Sequence, residues 1–388
     1  MAISKDRKDI DTFLTRGVEH IYPSRDFLEA RLEEGKRLTM YLGIDPTGPT
    51  LHLGHYVILR KLRQFARLGH QVILLIGGFT GMIGDPTDKG AARVRQTKKE
   101  VAANAKLYAA QAKRVCPSFV LKNNYDWLHT LTFENVIELA ANFTVQQMLA
   151  RDMFDKRIKE DKPIYLHEFL YPLMQGYDSV QMNVDGEIGG NDQTFNMLAG
   201  RDLMGVMKGK EKFVISTKLL TDAAGKKMSK TENALVTLSD SATEMYGKIM
   251  SWSDGLVAPG FELLTDEDVI PAEVSAQPKE MKMRLARLVV ADLHGEAAAG
   301  KAEEAFVQTF SKHEMPADMP TYAVSAPATS ADVLVGSGLC SSKSDARRVI
   351  EEGGVRVDEA VVASHETLVL PGSVIQKGKR HFVRVLRK

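Results

Sequence analysis

Cysteine is scarce in this 388-residue chain: only Cys116 and Cys340 occur, far apart and without metal-ligand spacing. That argues against a disulfide-stapled secreted scaffold and against a zinc site built on paired thiolates. Long apolar runs are missing too. The longest, residues 72–84, contains five glycine or threonine positions and is too short to span a bilayer. Lys5, Asp6, Arg7, Lys8 and Asp9 stand where a signal peptide would have its apolar core, so a cytoplasmic location is expected. Neither charge dominates: 51 Lys plus Arg face 50 Asp plus Glu, and a net charge of +1 gives no global attraction to nucleic acid or membrane. Repeats and low-complexity tracts are absent. What remains is an ordinary globular composition, 44% apolar and 26% charged. The length suits roughly two to three domains with cores that need no metal or disulfide.

The first half alternates short apolar runs with amphipathic stretches. Residues 38–44 read as a strand, followed by a Pro-Thr-Gly-Pro-Thr turn. Apolar residues from Leu53 through Ala66 recur at helical spacing, and residues 72–76 read as a buried parallel strand. Thr97 with Glu100, and Thr144 with Gln147, are capping boxes that open helices. Val180, Met182 and Val184 alternate as in a strand. Strands interleaved with helices imply a doubly wound α/β domain with a parallel sheet over residues 1–238. Residues 239–314 read as helical, with a capping box at Ser241 and Glu244 and an amphipathic run from Glu280 to His294. Proline, alanine, serine and threonine crowd residues 315–330, the signature of a linker, and residues 331–388 make a small terminal module.

Two segments carry chemistry. Residues 41–55 read Tyr-Leu-Gly-Ile-Asp-Pro-Thr-Gly-Pro-Thr-Leu-His-Leu-Gly-His, a strand end running through a turn into a helix start. Unpaired N–H groups and the positive end of the helix dipole make such a start a phosphate site. His52 and His55 can bond phosphate oxygens there, and Gly54 lets a flat purine approach the backbone. About 170 residues later comes Gly225-Lys-Lys-Met-Ser-Lys-Thr231, a mobile basic loop able to neutralise a departing pyrophosphate. Alone, each segment could be an incidental turn or a solvated loop.

Between them lie three further clusters. In residues 77–87 glycines surround Asp85, which could pair with an ammonium group. Tyr171, Gln175 and Asp178, at i, i+4 and i+7, share one helix face, though spacing alone fits a solvent stripe equally well. Gly189-Gly-Asn-Asp-Gln193 can place Asp192 and Gln193 beside a ligand, or simply turn a strand into a helix.

The two motifs in this order resemble the signatures of class I aminoacyl-tRNA synthetases. With the intervening clusters, nearly the whole chain resembles the bacterial tyrosyl-tRNA synthetases, and its Gly-Gly-x-Asp-Gln turn resembles that of their second subgroup. The resemblance implies a Rossmann-like catalytic domain, a helical domain on the anticodon side and a homodimer. Tyr41 and Asp178 would meet the phenolic hydroxyl of tyrosine. Asp85, Tyr171 and Gln175 would hold its ammonium group, and Gln193 would lie near its carboxylate. On the ATP side would stand Gly43, Asp45, Thr47, His52, Gly54, His55, Gly190 and Asp192, with Asp192 nearest the ribose. Lys227, Met228, Ser229 and Lys230 would close from the loop; His52, His55, Lys227, Lys230 and Thr47 would be the catalytic set. Magnesium would travel with ATP, no metal cage being evident. Leu42 stands where many relatives have cysteine, and Glu187 where many have glutamine.

The terminal module is basic where the rest of the chain is not, although such charge alone is more often just a solvated face. Residues 331–388 carry ten basic and seven acidic groups, a net of +3 that leaves −2 for the rest. Lys343, Arg347 and Arg348 cluster on a helix expected over 342–350, and a compact basic surface suits a phosphate backbone. The arrangement resembles the α+β ribosomal S-four-type RNA-binding module, which tryptophan enzymes of the same class generally lack. Two other readings stay open: a tryptophan enzyme, and an RNA-binding protein that kept the fold without the activity. Asp178 and the terminal module oppose the first; His52, His55, Lys227 and Lys230 oppose the second.

Overall fold

The structure, a computed structural model, describes residues 3–85, 96–221, 235–311, 319–378 and 381–387. Met1–Ala302 and Glu303–Lys388 form two compact units.

The first unit is built on six strands: β1 Val18–Tyr22, β2 Thr39–Ile44, β3 Gln71–Ile76, β4 Val120–Asn123, β5 Gly186–Gly190 and β6 Phe213–Thr217. Their order is β1-β6-β5-β2-β3-β4. The five strands from β2 to β6 are parallel, and β1 runs antiparallel along β6. The continuous apolar run Val72–Ile76 is wholly buried, as a strand covered on both faces must be. From β2 the chain builds outward through β3 and β4, then returns to place β5 on the other side of β2. That reversal opens a crevice beyond the carboxyl ends of β2 and β5.

Helix starts follow local chemistry. In the helix Lys98–Val115, Thr97 Oγ1 accepts from the Glu100 N–H at 3.3 Å, while Glu100 Oε2 accepts from the Thr97 N–H at 2.8 Å. Thr144 and Ser241 cap their helices in the same reciprocal way. The alternation at Val180, Met182 and Val184 is not a strand. Val180 and Met182 end the helix Leu166–Met182, where Asn183 turns left-handed at φ 48°, and the strand follows at Gly186–Gly190. Three alternating apolar residues fit either period, and β5, buried on both faces, has no alternation to announce it.

Residue 238 marks no break in the packing. Asp292, on the helix Pro278–His294, accepts from Tyr56 at 2.6 Å and from both Arg63 guanidinium nitrogens at 3.0 and 2.9 Å. Arg60 pairs with Asp266. These ties hold the helical region to the helix Leu53–Arg67, and the unit continues to Ala302.

In the second unit, β7 Thr321–Val324, β8 Ala328–Thr329, β9 Val355–Val357, β10 Ala360–Val361, β11 Leu368–Val369, β12 Val374–Lys377 and β13 His381–Arg387 accompany helices Ser330–Gly336 and Lys343–Glu351. Five of these strands form a sheet in the order β10-β9-β12-β13-β7, and β11 pairs with β8. Leu334, Ile350, Val355, Ile375 and Val383 fill the core. The expected linker is therefore structured over much of its length. Strands β7 and β8 fall inside residues 315–330, hidden in the sequence because their hydrogen-bonding partners, β13 and β11, lie far along the chain.

Candidate active site

A cleft of about 460 Å³ sits at the reversal point between β2 and β5. Every candidate catalytic, tyrosine-side and ATP-side residue within the described part of the chain lines it. The β2 segment and its turn bring Tyr41, Gly43, Asp45 and Thr47; the following helix start brings His52, Gly54 and His55. The helix Leu166–Met182 brings Tyr171, Gln175 and Asp178, so their shared face looks into the cleft and not toward solvent. The β5 turn brings Gly190, Asp192 and Gln193, and Asp85 closes the set. Lys227, Met228, Ser229 and Lys230 fall outside the described residues. Leu220 and Leu235, on either side of that stretch, line the same cleft.

At one end the two histidines organise themselves. His52 is the N-cap of the helix Leu53–Arg67, and its Nδ1 accepts from the Gly54 N–H at 3.1 Å. His55 Nδ1 accepts from the His52 N–H at 3.2 Å, and the ring centroids lie 4.0 Å apart. Burial lowers the pKa of His52; burial and then His52 lower that of His55 to about 3. Both rings are neutral at pH 7, and with Nδ1 accepting, each carries its proton on Nε2. The pair can therefore donate to phosphate without being cationic. Gly54 has a reason beyond ligand approach: a Cβ there would lie 2.8 Å from the His52 ring, forcing the cap apart.

The other end is a buried polar network. The Tyr41 hydroxyl lies 2.9 Å from Ser179 Oγ. Asp178 accepts from Trp127 Nε1 at 2.8 Å and from Asn124 Nδ2 at 3.1 Å. Burial pushes the Asp178 carboxyl well up from its ordinary value, against the pull of those two bonds. Tyr41 is also pushed up, by burial first and then by Glu187 and Asp178. Its hydroxyl therefore stays protonated and able to donate.

Between the two ends, Asp45 accepts from Thr80 Oγ1 at 2.7 Å and from the Tyr171 hydroxyl at 2.8 Å. With its proton committed to Asp45, the Tyr171 oxygen keeps lone pairs to offer an ammonium group. Gln193 Nε2 donates to Asp85 at 2.7 Å, and its Oε1 accepts from Asn196 at 3.0 Å. Sequence reasoning missed Thr80, Asn124, Trp127, Ser179 and Lys212. Thr80 lies within the 77–87 cluster and Ser179 beside Asp178, where attention fell on their neighbours. Asn124, Trp127 and Lys212 sit in no recognisable pattern, and only the fold brings them to the cleft or beneath it. Cys116 and Cys340 are buried free thiols.

The three expected RNA-contacting cations share the helix Lys343–Glu351. Lys343 pairs with Asp332 at 2.7 Å, and Arg348 with Asp345 and Glu352 at 2.9 and 3.1 Å. Arg347 is exposed.

Comparison with known proteins decides the lineage. The family model described as tRNA synthetases class I (W and Y) matches residues 33–311. The chain belongs to that family. An S4 domain model matches residues 331–375 of this synthetase-family chain. It is 43% identical over 383 residues to tyrosine--tRNA ligase 2 of Vibrio vulnificus, covering 96% of this chain and 97% of that one. Identity to tyrosine--tRNA ligase of Moorella thermoacetica is also 43%, with coverage of 96% and 94%. The fold is similar to that of a C-terminally truncated mitochondrial tyrosyl-tRNA synthetase of Aspergillus nidulans, with a TM-score of 0.67, 24% identity and coverage of 79% and 95%. A tyrosyl-tRNA synthetase of Archaeoglobus fulgidus complexed with L-tyrosine shares the fold at a TM-score of 0.58, 17% identity and coverage of 76% and 99%. No helix among the described residues is long and apolar enough to cross a membrane.

Proposed function

We propose that this synthetase is a tyrosine--tRNA ligase with its amino-acid site at the buried end of the cleft. It activates L-tyrosine with ATP, then transfers the tyrosyl group to the 3′-terminal ribose of tRNA(Tyr). The observation that carries the assignment is the polar floor beneath the cleft, where Tyr41 and Asp178 stand together among apolar β-strand residues. An apolar pocket would suffice for phenylalanine; buried hydrogen-bonding groups demand a ligand that pairs with them.

In this reading Asp178 accepts from the phenolic hydroxyl and Tyr41 donates to the same oxygen. Asp85, Tyr171 and Gln175 receive the ammonium group, and Gln193 lies toward the carboxylate. A carboxylate oxygen of tyrosine attacks the α-phosphorus of MgATP, the bond to pyrophosphate breaks, and tyrosyl-adenylate remains. Gly43, Gly54 and Gly190 let the nucleotide lie against backbone, and Asp192 takes the ribose. Thr47 and the Nε2–H donors of His52 and His55 meet the phosphates. Of the ATP-side residues Lys227, Met228, Ser229 and Lys230, the two lysines are proposed to neutralise the departing pyrophosphate. A terminal ribose hydroxyl of the tRNA then attacks the tyrosyl carbonyl carbon and releases AMP. No protein nucleophile is required, so catalysis is positioning and charge stabilisation.

The terminal S4 domain is proposed to hold tRNA, with Arg347 exposed and Lys343 and Arg348 beside it. A homodimer would cover the exposed apolar side chains Phe133, Ile137 and Leu166 on helices that pack together, and a cytoplasmic location accords with the bacterial relatives. Pyrophosphate exchange into ATP, run with each of the twenty amino acids, tests the assignment. Exchange with tyrosine is expected; preferential exchange with tryptophan would overturn it.

A further inference from the structure

Lys212 stands immediately before β6, and none of its surface reaches solvent. Its amine donates to Glu187, to Ser179 Oγ at 2.7 Å and to the Met197 carbonyl at 3.2 Å. Three acceptors match the three protons of an ammonium group. The site is shaped for it: a Cβ on Gly200 would lie 2.6 Å from Nζ and 2.8 Å from Ser179 Oγ. A buried ion pair is weak evidence for stability, because well-packed apolar side chains often serve as well. What this pair touches is more informative.

Two arms leave it toward the cleft. Through Ser179, the amine is one hydrogen bond from the Tyr41 hydroxyl, 2.9 Å beyond; Nζ also lies 5.6 Å from the Tyr41 ring centroid. Through Glu187, it reaches Gln175, whose Nε2 donates to Glu187 Oε1 at 2.9 Å. We propose that Lys212, paired with Glu187, is a positioning residue for amino-acid selection, setting the hydrogen-bond direction of Tyr41 and Gln175 without touching substrate. This inference rests on the tyrosine site proposed above. With Lys212 donating to it, Ser179 is set to direct its own proton to the Tyr41 oxygen, and the Tyr41 proton, held only by a long bond to the Gln175 carbonyl at 3.5 Å, can turn to the phenol. With its amide nitrogen held by Glu187, Gln175 turns its carbonyl oxygen to the ammonium group. One buried cation thus orders both ends of the amino acid.

Lys212→Met alone would strand the Glu187 carboxylate and could fail to fold, so the test variant is Lys212→Met with Glu187→Gln. Pyrophosphate exchange is measured with tyrosine and with phenylalanine for this variant, the parent and Tyr41→Phe. The double variant is expected to raise the tyrosine KM and lower the tyrosine-over-phenylalanine ratio by roughly tenfold each, the scale for disturbing one charge-assisted bond. The ATP KM should move less than about twofold, since uniform disruption of the site would move both. Parent values of the tyrosine KM and the ratio, with Tyr41→Phe lowering the ratio, would overturn the role of Lys212 alone. A parallel rise in the ATP KM would overturn it too. If Tyr41→Phe also keeps the parent ratio, the tyrosine-site reading falls and takes this inference with it.

Discussion

The two ends of the cleft are built in opposite ways. The histidine end comes from one short stretch, where His52 and His55 are held by backbone N–H groups within three residues of themselves. The phenol end is assembled from five separated places: Tyr41 on β2, Asn124 and Trp127 after β4, Asp178 and Ser179 on a helix, Glu187 on β5, and Lys212 before β6. The first is local in its side-chain hydrogen bonds, and distant chain only pins it, through the Leu53 N–H on the Val236 carbonyl at 3.1 Å and the Leu238 N–H on the Leu51 carbonyl at 2.8 Å. The second exists only when the whole sheet is in place. In the proposed reading, phosphate handling therefore draws on a local motif, while the choice of amino acid rests on tertiary structure.

The largest expected effect belongs to the phosphate end. Lys230→Ala should slow pyrophosphate exchange by roughly 100- to 1000-fold, the scale for losing one preorganised donor. Its tyrosine KM should hold, because the proposed role of the lysine is toward phosphate and not the phenol pocket. Parent exchange rates in this variant would remove the loop from the mechanism.

A second prediction separates both ends from the terminal unit. Because β7 pairs with β13, a truncation must fall before Thr321 and not at residue 330. A chain ending at residue 318 should keep its exchange rate within about twofold while tRNA charging falls at least about tenfold, and charging by the full chain should weaken with added salt. Full charging by the shortened chain would deny the S4 domain a part in tRNA binding.

The smallest effect concerns stability. His55 is held neutral in the fold, its pKa lowered to about 3. As pH drops below about 6.5 the unfolded ring takes up a proton and the native ring does not, so stability is complete above that value and declines toward pH 3. Between pH 7 and 5 the loss from this ring should be about 1–2 kcal/mol. Urea midpoints at the two pH values check it, and His55→Gln should show the smaller drop. Equal drops would mean that the ring is not held neutral.

The same contrast explains what could be read from the sequence. The capping boxes were legible because each is set by neighbours within one helical turn. The histidine motif and the spacing of Tyr171, Gln175 and Asp178 were visible too, but alone each fitted an incidental turn or a solvent stripe, and only their order along the chain singled them out. Lys212 was not legible: a lysine before a strand looks like a surface charge until Gly200 and Ser179 are brought around it from distant helix positions. Asn124 and Trp127 follow a strand edge with no pattern of their own. Strand β5 was obscured by its glycines and by full burial, and β7 by a partner about sixty residues away. Local periodicity carries no trace of pairing at that range.

The most direct measurement compares how each end controls selectivity. Tyrosyl-tRNA synthetases are the standard example of a site that rejects an analogue lacking one hydroxyl, because its own buried groups are left unpaired. The ratio of exchange efficiencies for tyrosine over phenylalanine is measured in the parent, Asp178→Ala, Tyr41→Phe and His55→Ala. Leaving a buried polar group without its partner costs roughly 1–3 kcal/mol, so Asp178→Ala should lower the ratio by about tenfold. Tyr41→Phe should lower it less, since one donor is lost and the Asp178 carboxyl group stays. His55→Ala should slow exchange with both amino acids and leave their ratio at the parent value. An unchanged ratio in Asp178→Ala, or a collapsed one in His55→Ala, would contradict the division between the two ends.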